Sequence, residues 1–361
     1  MPTSPYTLAT FVCADTRDAD AQVLYPLMGL LGPEERRLGY WRLAAANVLI
    51  AKRVHPEARH VLYTNDEADA WFGRLNLRHW LAEAGIEVRL LPFTHYKLPI
   101  GMSLRFANAF YRFEVIEDLA RRQENALLMD ADCLLVRPDH DLMERLGDER
   151  LLVYDIYSRS QRPQSGRPHG ISMEDMGNTF LGISATYPIK FPVWLGTEVI
   201  GGSAAILGRL SVEMAHFIDH FAYHYKRNAD MPQFPNGTGF FNNDEFAFSY
   251  VANQMGAVAY LNPHMKRMYA LPFLDNLEAG DEMKAIWHLP SEKNSGLLLL
   301  CEQMCSPASP FWQIAVEDLP IYIGGLVGVP KRASRGRSQT PVRDFMRNLR
   351  GRMGVLMRNR F

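Results

Sequence analysis

The sequence has too few cysteines for a disulfide-stabilised fold. It contains 361 residues and four cysteines, and four are too few to build a disulfide framework in a chain this long. Cys13 and Cys133 lie in apolar, strand-like segments. No group of His or Cys residues near Cys301 and Cys305 completes a zinc site. The sequence therefore predicts free, packed thiols.

A strong net charge and a long apolar run are also absent. The formal net charge is −1, which predicts no general attraction to nucleic acid. The N-terminal segment has no basic region followed by a long apolar core. The most apolar later stretch, residues 311–329, contains Glu317 and Asp318, which a membrane span tolerates poorly. These absences predict a cytoplasmic protein with neither a signal peptide nor a transmembrane helix.

The small net charge conceals a basic C-terminal tail. Residues 331–361 carry ten Lys and Arg residues and one acid, which leaves a net charge of −10 for residues 1–330. In a helix, the apolar side chains of the tail would occupy one face and most arginines the other. This pattern predicts that residues 342–360 bind an anionic membrane surface, so the protein would be peripheral on the inner face of the membrane. Docking of the apolar face on the protein's own core is the alternative.

Short apolar segments alternate with longer helical patterns in the first part of the chain. Strands are predicted at residues 6–13, 59–63, 86–91 and 126–129, and helices at 38–54, 71–84 and 103–121. This alternation predicts an α/β fold with a Rossmann-like sheet, in which residues 1–136 form the first half.

The second half, residues 137–330, is less regular. Strands are predicted at residues 151–154 and 203–207, and helices at 211–227 and 244–255. Asn243 is the predicted N-cap of the last helix. We therefore expect one domain over residues 1–330, followed by the basic tail.

Two aspartates follow the fourth predicted strand. The segment 126–138 reads ALLMDADCLLVRP, so an apolar strand delivers Asp130 and Asp132 at its carboxyl end. Ligands bind at this end of the strands in open α/β sheets. Two neighbouring carboxylates repel each other unless a cation neutralises them, and Mg²⁺ or Mn²⁺ prefers such ligands. The pattern predicts a metal site shared with substrate phosphates, although a solvated turn remains the alternative.

Five segments, in order along residues 6–295, resemble glycosyltransferases with the GT-A fold, a Rossmann-like mixed sheet flanked by helices. The similarity is greatest to the family 8 type, which includes glycogenin and the bacterial lipooligosaccharide galactosyltransferases. The segments are 10–15 (TFVCAD), 110–113 (FYRF), 128–132 (LMDAD), 201–207 (GGSAAIL) and 242–245 (NNDE). A sixth segment, 287–293 (WHLPSEK), resembles the family's His…Lys motif with one residue fewer between His and Lys.

The resemblance implies a role for each matching residue. Its metal ligands are Asp130, Asp132 and His288, around Mn²⁺ or Mg²⁺. Donor contacts are expected from Thr10, Asp15, Arg112, Gly201, Gly202 and Lys293. Asp244 and Glu245 are expected at the acidic edge of the sugar site. The resemblance thus implies a catalytic domain in which residues 1–136 are the nucleotide-binding half and residues 137–330 the acceptor and sugar half. Each residue also has a structural alternative; for Arg112 it is an ion pair with Glu117 or Asp118 on the helix surface.

These roles predict metal-dependent transfer of a sugar from a nucleotide sugar, with UDP as the nucleotide, to a saccharide or lipid-linked acceptor. The resemblance implies that the anomeric configuration is retained. A catalytically silent nucleotide-sugar-binding protein on a membrane is the main alternative. A haloacid-dehalogenase-like phosphatase is disfavoured because three β/α units precede the aspartates. A nucleotidyltransferase is disfavoured because residues 14–17 (ADTR) lack a glycine-rich phosphate loop.

Overall fold

The computed structural model describes residues 6–14, 33–97, 107–156, 172–184, 187, 189, 192–224, 231–233, 239, 243–268, 270–271 and 274–329. Its strands are β1 (Thr7–Val12), β2 (Arg59–Thr64), β3 (Trp71–Phe72), β4 (Leu75–Asn76), β5 (Glu87–Leu90), β6 (Ala126–Met129), β7 (Cys133–Leu135), β8 (Leu151–Asp155), β9 (Leu195–Gly202), β10 (Val258–Tyr260), β11 (Met265–Arg267), β12 (Ala270–Leu271), β13 (Leu274–Asp275) and β14 (Ile286–His288). Its helices are α1 (Pro33–Val54), α2 (Leu77–Glu83), α3 (Tyr111–Arg121), α4 (His140–Arg145), α5 (Met173–Ile183), α6 (Ala204–His224), α7 (Asp244–Met255), α8 (Gly296–Met304) and α9 (Leu319–Val327).

Seven of these strands form one mixed sheet in the order β10-β8-β9-β6-β1-β2-β5. The strands β5, β2, β1 and β6 are parallel, and β9 runs antiparallel to both of its neighbours. The predicted α/β class with a Rossmann-like mixed sheet is therefore confirmed. Both predicted halves of the chain contribute strands to this sheet.

Each face of the sheet buries its own apolar cluster. Along β6, Leu127 and Met129 belong to the cluster that contains α1 and α8, while Ala126 and Leu128 belong to the cluster that contains α3, α6 and α7. Successive side chains of a strand point to opposite faces, so this alternation requires helices on both sides. The strands β6 and β1 therefore lie between two packed layers of helices.

Local signals place several element boundaries where the sequence predicts them. The strand β6 has the predicted bounds, and α7 begins after Asn243, whose side chain accepts a hydrogen bond from the Phe246 amide at 3.1 Å. The helix ends at Gly256, which has a φ of 68°. A residue in this left-handed conformation commonly terminates a helix, and glycine adopts it without strain.

Two predicted elements are wrong. Residues 203–207 were expected to form a strand, but α6 begins at Ala204 and the strand is the preceding segment β9. A short apolar run does not distinguish strand from helix by periodicity, and Ser203 lies at the helix start with its Oγ 3.5 Å from the Ile206 amide. Residues 71–84 were expected to be one helix, but the hairpin β3–β4 turns at Gly73 before α2 begins after its N-cap Asn76.

Several predictions concern parts of the chain outside the described residues. They include Asp15, the motif residue Asn242 and the whole basic tail, so membrane binding by residues 342–360 stays a prediction. Within the described ranges, no helix is both long and apolar enough to cross a membrane.

The helix α9 supplies a test of the packing behind β14. The chain turns back after α9, and the amide of Val329 donates a hydrogen bond to Gly324 O at 3.0 Å. A β-carbon on Gly324 would collide with the Val329 carbonyl oxygen and would lie 3.7 Å from the ring of Trp287. One on the next residue, Gly325, would meet nothing within 4 Å.

Replacing Gly324 by alanine is therefore expected to destabilise the protein by about 1–3 kcal/mol. Replacing Gly325 by alanine should instead stabilise it by roughly 0.5–1 kcal/mol, because glycine is unfavourable inside a helix. Urea unfolding of the two variants measures both effects. Equal free energies of unfolding for the two variants would contradict the close contact between Gly324 and Val329.

Candidate active site at the carboxyl end of β6

The turn between β6 and β7 presents the two aspartates. The amide of Asp130 donates to Glu198 O at 2.8 Å, and the Cys133 amide donates to Asp130 O at 2.9 Å. Asn47 of α1 donates its side-chain amide to the carbonyl oxygens of Asp130 and Cys133. The backbone of the turn is therefore fixed by groups from three elements.

His288 and Lys293 reach Asp132 from a distant part of the chain. The strand β14 pairs antiparallel with β7, with His288 opposite Cys133, and the Leu289 amide donates to Asp132 O at 3.0 Å. This register leaves His288 Nε2 3.2 Å and Lys293 Nζ 3.0 Å from Asp132 Oδ2. The structure thus brings together these three predicted site residues.

Arg112 holds the other aspartate. Its Nη2 lies 3.1 Å from Asp130 Oδ1 and 3.3 Å from Asp244 Oδ2, while Nε donates to Ala109 O at 2.8 Å and Nη1 donates to Thr197 O. The side chain is buried. Its predicted alternative partners, at the surface of α3, are therefore wrong. Arg112 bridges two carboxylates inside the site.

Asp244 and Glu245 are the first residues of α7, and they join the charged side chains of the site through different contacts. Asp244 Oδ2 accepts a hydrogen bond from Thr197 Oγ1 at 2.6 Å, beside Arg112. Glu245 Oε1 lies 2.5 Å from Arg267 Nη2, and its Oε2 accepts a hydrogen bond from Trp194 Nε1 at 3.3 Å.

The sequence reasoning missed Glu198 and Arg267. Glu198 lies on β9 and is 2 % exposed. Its carboxylate accepts hydrogen bonds from Arg267 Nε at 2.9 Å and from Arg267 Nη2 at 2.8 Å. The signal available in the sequence was one glutamate inside the otherwise uncharged segment 191–207, and such a buried charge requires a partner. It was overlooked because β9 itself was not predicted.

Charges of opposite sign shift the acidities of these groups. Burial alone would raise the pKa of Asp132, but Lys293 and His288 hold it well below its usual value. Burial and the neighbouring Asp132 raise the pKa of Asp130 to about 6, against the effect of Arg112. Burial would lower the pKa of His288, but Asp132 and Glu198 raise it to about 9. Burial would raise the pKa of Glu198, which Arg267 and His288 hold below its usual value.

Gly201 and Gly202 are not part of the cluster. They face Leu127 and Ala126 in the β6–β9 register, at the opposite end of β6 from Asp130. A β-carbon on Gly201 would lie 2.7 Å from Leu127 Cδ1, so this glycine allows close packing inside the fold. The structure gives no support to their predicted contact with a donor.

Thr10 lies nearer to the site. It pairs with Met129, the residue before Asp130, and its Oγ1 is buried without a hydrogen-bond partner among the described residues.

The chemistry around Asp132 fits a divalent cation. Carboxylate and imidazole groups are ligands of Mn²⁺, and Mg²⁺ takes carboxylates. The 3.2 Å between Asp132 Oδ2 and His288 Nε2 is close to the roughly 3 Å between adjacent ligands of an octahedral ion with bonds of about 2.1 Å. Asp130 Oδ1 is buried and, although Arg112 Nη2 lies 3.1 Å away, it accepts no hydrogen bond within the described part of the chain.

The charge balance agrees with this fit. The site contains five carboxylates and three permanent cations, which leaves one negative charge while His288 is protonated and two once it loses its proton to bind a metal. The carboxylates belong to Asp130, Asp132, Glu198, Asp244 and Glu245, and the cations to Arg112, Arg267 and Lys293. One divalent cation would neutralise this excess.

One predicted ligand lies apart from the others. In the described ranges, the possible ligand atoms that lie within 4.8 Å of one another belong to Asp132, Cys133 and His288, whereas Asp130 is paired with Arg112. Burial raises the pKa of the Cys133 thiol, which donates to Glu198 O at 3.6 Å. A neutral thiol is not a ligand that Mn²⁺ or Mg²⁺ prefers. Asp132 and His288 are therefore the pair best placed for such an ion.

Comparison with solved structures gives neighbours that include three glycosyltransferase structures. No protein-family model and no curated protein matches the chain. A structure of the galactosyltransferase LgtC with donor and acceptor sugar analogues matches 91 % of this chain and 98 % of its own, with 11 % identity and a TM-score of 0.45. An active-site mutant of LgtC matches 89 % of this chain and 95 % of its own, with 12 % identity and a TM-score of 0.46.

The bifunctional glycosyltransferase WbbM, in its apo form, matches 89 % of this chain and 51 % of its own, with 9 % identity and a TM-score of 0.46. All three neighbours are glycosyltransferases, the class of protein that the sequence resembles. Identities this low, with TM-scores below 0.5, carry no argument about activity, so the activity of this chain has to be inferred from its own side chains.

Proposed function

We propose that the protein is a glycosyltransferase that transfers a sugar from a nucleotide-sugar donor, with a divalent cation as cofactor, to a carbohydrate or lipid-linked acceptor. The observation that carries the proposal is the meeting of Asp132, His288 and Lys293 at the carboxyl end of β6, where ligands bind in open α/β sheets. A bound divalent cation would stabilise the charge that develops on the leaving diphosphate.

The cationic side chains would divide the work of binding the donor. Lys293 ends a flexible stem 3.0 Å from Asp132 Oδ2, and it can swing from this carboxylate to a diphosphate as a point charge. Arg112 would keep Asp130 and Asp244 in place through its buried contacts. Positioning of this kind is a large part of catalysis when the protein does little covalent chemistry.

Asp244 and Glu245 would form the acidic edge that orients donor hydroxyls. An inverting reaction needs a free base near the acceptor hydroxyl, and Glu245 is already engaged by Arg267 and Trp194. We therefore propose retention of the anomeric configuration, with UDP as the nucleotide, as the sequence resemblance implies.

A catalytically silent donor-binding protein is the second candidate. It is favoured by one observation: Lys293 and His288 already compensate the charge of Asp132 without an added ion. Such a protein would bind a nucleotide sugar and leave it intact.

A panel of nucleotide sugars, each with and without Mn²⁺, tests the proposal. A donor that binds the folded state raises the melting temperature, and we expect UDP-sugars to do so only when Mn²⁺ is present. The same mixtures are then assayed for release of UDP. A melting shift without UDP release would favour the silent protein, and the absence of any shift would contradict donor binding altogether.

A further inference from the structure

Glu198 has no role in the function proposed above, yet it lies directly behind the proposed metal ligand. Its Oε1 is 3.4 Å from His288 Nδ1, on the side of the imidazole opposite the Asp132 carboxylate. Nδ1 is buried and has no hydrogen-bond partner within the described residues. The Glu198 carboxylate lies within ion-pair distance of this nitrogen.

We propose that Glu198 is a positioning residue that holds His288 with Nδ1–H directed at its own carboxylate and Nε2 directed at the divalent cation beside Asp132. This inference rests on the proposed function, since it concerns the same cation. It assigns a purpose to a buried glutamate on β9.

The two nitrogens of an imidazole are not equivalent once one of them binds a metal. The partner of the other nitrogen decides which tautomer forms and how the ring is oriented. Here the Nε2 side faces Asp132 Oδ2 at 3.2 Å and the Nδ1 side faces Glu198. The 3.4 Å contact would need to shorten by only a few tenths of an ångström to become a hydrogen bond, and such contacts commonly tighten when the ligand is bound.

The fold makes room for Glu198 in this position. A β-carbon on Gly196 would lie 2.7 Å from Glu198 Cδ and 2.9 Å from Oε1, so the carboxylate occupies space that any other residue would fill. Pairing of β9 with β8 also shifts here, from Ile200 opposite Val153 to Gly196 opposite Tyr154. The resulting irregularity leaves Glu198 outside the regular β8–β9 register.

Arg267 fixes the carboxylate from the other side. Its two contacts with Glu198, at 2.9 and 2.8 Å, are bidentate, the geometry that restricts a carboxylate most. The same guanidinium reaches Glu245. His288 therefore faces a carboxylate whose orientation is already set.

Calorimetric titration of the full chain with Mn²⁺ alone tests the inference. Loss of the group that orients a ligating histidine typically weakens metal affinity 10–100-fold. We expect Glu198→Gln, which keeps a hydrogen-bond acceptor but loses the charge, to weaken Mn²⁺ affinity about tenfold. Glu198→Ala should weaken it more. Gly196→Ala should also weaken binding, although it changes no charged or ligating group.

The matched control is Glu124→Gln, which removes the charge of another arginine-paired glutamate. Glu124 lies between α3 and β6 and contacts Arg59 and Thr7. This substitution should leave Mn²⁺ affinity unchanged. Melting curves without metal identify any variant that does not fold. If Glu198→Ala does not fold, the Mn²⁺ affinities of Glu198→Gln and Gly196→Ala still test the inference.

Electron spin-echo spectroscopy of bound Mn²⁺ supplies a readout that a general loss of stability would not change. We expect a nitrogen coupling from one imidazole in the wild type, its loss in His288→Gln, and a weakened coupling in Gly196→Ala. Wild-type Mn²⁺ binding that disappears in Asp132→Asn but is unchanged in the Glu198 and Gly196 variants overturns this inference alone. A wild type that binds no Mn²⁺ overturns the metal dependence proposed above as well.

Discussion

Replacing Asp132 by asparagine is expected to reduce kcat for sugar transfer by roughly 10²–10³-fold, the loss typical when one electrostatic stabiliser of the transition state is removed. Asp132 is the carboxylate shared by His288 and Lys293. Asparagine keeps its shape but not its charge, so a cation would lose its anionic ligand at this position. Steady-state kinetics with a UDP-sugar over a range of Mn²⁺ concentrations measures the loss.

The choice of asparagine matters because Asp132 is 2 % exposed. Both substitutions remove the common counter-charge of Lys293 and His288, and breaking a buried pair costs about 3–5 kcal/mol. Asparagine still offers them a hydrogen-bond acceptor, whereas alanine would also leave their donors without one and open a cavity. Asp148→Asn, an exposed aspartate after α4, is the matched control and should keep full activity. Unchanged kinetics in a folded Asp132→Asn protein would contradict the proposed role.

The position of the aspartates could be predicted because it depends on local pattern. An apolar segment of strand length runs into Asp130, and the parallel sheet around it follows from the alternation of strands and helices. The N-cap Asn243 was readable for the same reason, since capping is decided within one turn of helix.

The partners of the site could not be predicted in the same way, because distant segments supply them. The contact between Asp132 and His288 depends on the register of β14 against β7, across 156 positions of sequence. No local pattern states that register, and only the resemblance suggested it. Glu198 was missed for a related reason: its strand contains Gly196, Gly201 and Gly202, which weaken any strand signal.

The sequence prediction and the structure differ on the role of Arg112. The resemblance implies contact with the donor, whereas the structure surrounds the guanidinium with acceptors from Asp130, Asp244, Thr197 and Ala109. If this arrangement is its main role, removing it affects the folded protein before any donor binds. Arg112→Ala is therefore expected to destabilise the protein by about 3–5 kcal/mol, because two buried carboxylates lose their shared cation.

Urea unfolding without ligands measures this effect, and Arg121→Ala is the control on the same helix. Arg121 is 65 % exposed and pairs with Asp118 one turn away, so its loss should cost at most about 1 kcal/mol. Arg112→Lys should fall between the two, because an ammonium keeps the charge but cannot reproduce the planar array of donors. An Arg112→Ala protein that is as stable as the wild type but binds UDP-sugar more weakly would favour the donor contact instead. The guanidinium would then have to leave Asp130 and Asp244 when the diphosphate arrives.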